Sequence, residues 1–155
     1  MLTTILPPRA DNDFRGHRLA PWLLGLVLLP RIAIGLGSIF NGRNGAAVVD
    51  GIPLASYPTS AVEQVVNMLA LLGLASFTFG ALGFVVLLRY RSLIPAMFAT
   101  LLLYQGGRQA IHHFIPTESV GTAPGAIVNL VLLAMMLGGF ALSLVPRQRT
   151  TRSFA

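Results

Sequence analysis

The 155-residue chain is 54% hydrophobic and 10% charged, too apolar and too sparsely charged for an ordinary water-soluble domain. It contains no cysteine, which excludes disulfides, thiolate metal sites and thiol redox chemistry. The net charge of +6 comes from arginines, most of which stand beside long apolar runs; lipid headgroups and membrane topology account for that placement, so no nucleic-acid partner is expected.

Residues 1–18 are rich in Pro, Asp and Arg and are expected to form a flexible tail carrying Arg9, Arg15 and Arg18. The first apolar run covers residues 19–40. A cleaved signal peptide is the competing reading of this run, but it is longer than a typical signal core and no small-x-small cleavage site follows it. Pro30 and Arg31 interrupt the run near its middle. An outer loop then leads to a second run over residues 65–88, with its helix expected from about 62. The short turn Arg89-Tyr90-Arg91 precedes a third run over 93–114, within a helix of about 92–115. After a brief outer loop, the fourth run covers 124–145, and residues 146–155 form a basic tail with Arg147, Arg149 and Arg152.

Each run is long enough for a helix rising 1.5 Å per residue to cross a hydrocarbon core about 30 Å thick. Within that core every peptide group must be satisfied internally, and the alternation of a barrel strand is absent, so the expected fold is all-α, a bundle of four transmembrane helices. The three arginine groups belong on the cytoplasmic side under the positive-inside rule, which places both termini inside. The expected location is a bacterial inner membrane, crossed several times, with the lipid bilayer as the first partner.

Small residues allow helices to approach closely in a bilayer, where leucine gains nothing over a lipid tail. Gly73, Ser76, Gly80 and Gly83 share one arc of the second helix, and Gly138 has small neighbours at helical spacing in the fourth; these are the expected packing positions. The spacing serves packing within the bundle or against another copy or membrane subunit.

The third run is apolar in its first half and polar in its second. Tyr104, Gln105, Arg108 and His112 fall on one arc, which must face protein or water. Glu63 and Asn67 lie near the outer end of the second helix, and Arg31 is close to mid-membrane in the first, where an unpaired charge is costly. The expected cluster is therefore Glu63, Asn67, Tyr104, Gln105, Arg108 and His112, with Arg31 beneath it and Asn41 above. Its carboxylate and guanidinium are expected to pair, as a clamp between helices or as a site for a polar-headed ligand.

His112 and His113 are adjacent, so on a helix they point about 100° apart and do not chelate one ion. No metal or cofactor is expected. No nucleophile elbow, phosphate loop or dinucleotide fingerprint is present, and no catalytic residue is assigned.

The segment Pro30-Arg31-Ile32-Ala33-Ile34-Gly35, followed by Asn41-Gly42-Arg43, resembles the opening of the DoxX-like family of small four-helix bacterial membrane proteins. The stretch from Gly80 and Gly83 through Arg89-Tyr90-Arg91-Ser92-Leu93 resembles that family's second-to-third helix turn. The chain departs from the family in the apolar stretch 19–29 before the arginine and in lacking an acidic residue midway along the second run. The resemblance implies a four-helix architecture and an accessory or redox-associated role. From the residues themselves the expected function is a non-catalytic accessory or interaction subunit. The alternative is a ligand-handling protein, enzyme or carrier, that recognises a lipid or quinone headgroup or a small anion.

Overall fold

The computed structural model describes Ile5, Pro7 and residues 9–115 and 124–145. The basic tail with Arg147, Arg149 and Arg152, and the side chains of His112 and Pro124, lie outside the described residues. Among those described the chain is all-helical and without a strand. Four long helices dominate: α1 (Leu19–Phe40), α2 (Thr59–Arg89), α3 (Ile94–Phe114) and α4 (Pro124–Leu144). Three helical stretches, Leu19–Phe40, Thr59–Arg89 and Gly125–Leu144, are long and apolar enough to cross a membrane. The polar residues in the second half of α3 keep it from sharing that composition.

The burial pattern follows helical periodicity. Ala20, Leu24, Val27 and Leu28 of α1 pack with Ile94, Met97, Phe98 and Leu101 of α3 and with Leu132 and Met136 of α4. Each set recurs every three or four residues and so forms one stripe along its helix. The resulting core lies toward the end of the molecule that carries the α2–α3 turn. α1 also packs along α2, where small residues replace large ones. Gly73, Gly80 and Gly83 are buried there, Ser76 is half-buried on the same side, and Gly35 of α1 faces Gly73 directly. By contrast α2 and α3 pack only loosely.

One end of the molecule gathers the tail, the turn and the end of α4. Asp11 N donates to Ser92 Oγ at 2.9 Å, and Asp11 O accepts from Ser92 N at 3.2 Å and from Ser92 Oγ at 2.9 Å. His17 N donates to Leu142 O at 3.1 Å. A Cβ at the adjacent Gly16 would stand 2.5 Å from Ser143 O, so only glycine allows the tail this close. We refer to this as the basic end.

At the opposite, loop end the chain leaves α1 through a helical turn at Gly42–Asn44 and a wider π-type turn at Gly45–Val49. It then reverses at Gly51, whose φ of 67° is readily adopted only by glycine. The loop is held between helices, because Gly42 rests on Val66 of α2 and Gly125 of α4 lies against Val49.

α2 begins at Thr59, ahead of the expected start near 62, and its 31 residues span about 46 Å at 1.5 Å per residue. That exceeds a hydrocarbon core of about 30 Å, so the first turns of α2 rise beyond the other helices at the loop end.

Candidate functional site

Arg31 lies eleven residues beyond Ala20 on the same stripe of α1, and Gln105 lies eleven residues beyond Ile94 on that of α3. Both stripes point inward, so the polar side chains that continue them are carried into the interior. Arg31 is 3% exposed and Gln105 is 2% exposed. The Arg31 Nη2 donates to Gln105 Oε1 at 3.1 Å. Gln105 Nε2 in turn faces Asn129 of α4, donating to its Oδ1 at 3.3 Å and reaching its backbone O at 3.5 Å. A chain of polar contacts therefore joins three helices at the loop-side edge of the apolar core.

Tyr104 supplies a further contact. Its ring centroid lies 5.1 Å from Arg31 Cζ, within range of a cation–π attraction, and 5.1 Å from the ring of Phe79 on α2. α2 is thereby linked to the set through an aromatic pair. Arg108, one turn beyond Tyr104 and Gln105, is half-buried on the same side of α3 as Tyr104.

Among the described residues no ion pair joins a carboxylate to Arg31 or Arg108. Arg31 Nε is buried without a hydrogen-bond partner, and no ion pair forms between Glu63 and Arg108. A buried guanidinium with an unused donor is an expensive arrangement.

The expected cluster is thus assembled in part. Arg31, Tyr104, Gln105 and Arg108 come together, whereas Glu63, Asn67 and Asn41 are exposed and stand apart. The reason for Glu63 is depth along the helix. It lies twenty-six residues before Arg89, about 39 Å along α2, whereas Arg108 lies fourteen residues after Ile94, about 21 Å along α3. Because the two helices start at one turn, the unequal lengths separate residues that equal spans would place level. Asn41 Oδ1 instead accepts a local bond from Asn44 Nδ2 at 2.9 Å. The His112 side chain lies outside the described residues.

Gly138 is also placed differently. It is exposed with nothing within 4 Å of a Cβ, and the neighbouring Gly139 is the one buried against Phe98. One residue is a 100° rotation on a helix, and small residues on both sides of that position do not distinguish the two.

Asn129 is the member that sequence reasoning overlooked. Gly125, Asn129, Leu132, Met136, Gly139 and Ser143 form one inward stripe of α4. Asn129 is the polar side chain in the first half of a run that is otherwise apolar, and an isolated amide at such depth is a signal for an interhelical bond. Comparison with family models, with curated proteins and with solved structures finds no match for the chain.

Proposed function

We propose that this is a small polytopic protein of a bacterial inner membrane, a bundle of four transmembrane helices with both termini in the cytoplasm, serving as a non-catalytic accessory or interaction subunit. The observation that carries the reading is the Arg31–Gln105–Asn129 chain, which is buried, joins three helices and so fits a polar clamp that sets packing. Polar side chains inside a membrane act as glue between helices when their partners come from neighbouring helices. The resemblance to DoxX-like proteins points the same way.

Several features support the threading. The first two arginine groups, at the tail and at the α2–α3 turn, stand together at the basic end, where Asp11 bonds Ser92. Trp22 is 79% exposed toward that end, and Phe40 and Phe114 are 83% and 80% exposed at the other; aromatic residues favour the two membrane interfaces. Hydroxyls on lipid-facing surfaces are satisfied within their own helices, with Thr78 donating to Leu74 O and Thr100 to Ala96 O. Counting α3 as the remaining span returns the chain to the side from which α2 descends.

The absence of native cysteine makes accessibility mapping direct. Arg43→Cys is expected to react with a membrane-impermeant maleimide on intact spheroplasts, and Ala10→Cys only after permeabilisation. Labelling of position 10 from outside overturns the threading. For the role itself, native mass spectrometry of the chain released from its own membrane is expected to show a stoichiometric complex with another membrane protein or copy. A lone chain at every detergent concentration overturns the interaction reading. The ligand-handling alternative is favoured by one observation, the unpartnered Nε of Arg31.

A further inference from the structure

We propose that Arg31 and Arg108 form a site for an oxyanion, the phosphate of an anionic lipid headgroup or a free phosphate, entered from the side between α2 and α3. The inference deepens the ligand-handling alternative and does not depend on the accessory role.

Charge is the first argument. Arg108 stands one turn from Tyr104 and Gln105, both of which touch Arg31, and no ion pair joins either guanidinium to a described carboxylate. Arg31 is almost wholly buried, yet it spends one nitrogen on Gln105 and leaves Nε without an acceptor. Arg108 makes no hydrogen bond or ion pair with any described residue. An oxyanion supplies what both lack, several acceptor lone pairs and negative charge in the geometry that guanidinium favours.

Access is the second argument. α2 and α3 touch where Phe79 meets Tyr104. One and two turns further toward the loop end, on the Tyr104 face of α3, a Cβ at Gly107 would meet nothing within 4 Å and Ile111 is 61% exposed. On α2, Leu72 is 53% exposed. Both flanks are apolar and exposed, and the half-buried Arg108 stands on the Tyr104 face of α3 beside them. That combination suits an amphiphile whose headgroup enters and whose chains remain in the bilayer. The Tyr104 ring, already against Arg31, continues that face inward to the buried guanidinium.

The test uses the full chain in nanodiscs of phosphatidylcholine, with or without phosphatidylglycerol. Native mass spectrometry is expected to retain one phosphatidylglycerol per chain after the annular lipids are stripped. Arg108→Gln should reduce that retention about tenfold, the effect of losing one charge-assisted bond. Arg31→Lys should do the same, with circular dichroism confirming that it folds. Arg89→Gln, at the basic end, should leave retention unchanged.

A second arm keeps phosphatidylcholine alone and adds inorganic phosphate against chloride at equal ionic strength. A rise in unfolding temperature that Arg108→Gln abolishes assigns the site to free phosphate and not to lipid. The proposal is overturned if Arg108→Gln retains phosphatidylglycerol as the parent does and phosphate does not stabilise. It is equally overturned if Arg89→Gln alone removes the lipid. Stable partner complexes in either variant leave the accessory reading standing, so the two conclusions fail separately.

Discussion

Gly35→Ala is expected to force α1 away from α2 and to destabilise the protein by about 1–3 kcal/mol, the cost of overpacking a close contact. A Cβ at this position would stand 2.7 Å from Gly73 O and 2.8 Å from Phe77 N. Both neighbours are backbone, so no rotamer change relieves the clash. Gly73→Ala should behave alike, since its Cβ would meet Gly35 O and Ser38 Cβ, each at 2.7 Å. Gly80→Ala and Gly83→Ala should cost less, because Ile32 and Leu28 present movable side chains to them.

Gly138→Ala, with open space around it, is the control and should shift stability by less than about 0.5 kcal/mol. Equilibrium unfolding of all five variants in one detergent checks the ranking. If Gly35→Ala and Gly138→Ala unfold together, the helices do not cross at Gly35 and Gly73. The size of the effect follows from the solvent: in lipid, helix association depends on van der Waals contact, and a crossing made by backbone is lost by a single methyl group.

The second large effect is expected at the polar chain, and it is asymmetric. Gln105→Leu leaves the Arg31 guanidinium buried with only the Tyr104 ring beside it, a loss of about 3–5 kcal/mol for an uncompensated charge. Arg31→Met removes the charge and leaves Gln105 Oε1 without its donor, costing about 1–3 kcal/mol. Asn129→Leu breaks a neutral bond, and such bonds between membrane helices average about 0.6 kcal/mol. Burial of charge, not the number of hydrogen bonds, therefore sets the order.

The double variant Arg31→Met with Gln105→Leu should be more stable than Gln105→Leu alone, since two apolar side chains replace a charge and its partner. A double-mutant cycle on unfolding free energies measures this. Additive losses would show that the two side chains do not act on each other. Arg108→Gln belongs outside this cycle, because a side chain that bonds nothing described should cost little stability even where it costs ligand.

Much of the molecule is legible in one dimension because the bilayer imposes a one-dimensional rule. A helix long enough and apolar enough to cross is a property of consecutive residues, and three such stretches can be read from the sequence and are found as helices. The arc of Gly73, Gly80 and Gly83 also follows from spacing, since the helical period alone places them on one face, and that face lies against α1. The burial cost of a charge likewise singles out Arg31 before any partner is known.

What the tertiary structure alone decided is which side chains meet. Glu63 and Arg108 look level when the second and third spans are taken as equal, but α2 is ten residues longer than α3, so their depths differ. No local pattern reports that difference, because helix length beyond the hydrocarbon depends on the loop that packs around it. Asn129 is hidden for a related reason: α4 is apolar on every side, and periodicity cannot mark an inward face where there is no outward one. Gly139 and Gly138 differ by one step of rotation, fixed by where Phe98 of α3 comes to rest. Composition and period thus determined the helices and the face that carries their glycines. Relative depth and rotation, which exist only between helices, determined that Arg31 meets Gln105 and that Glu63 and Arg108 do not meet.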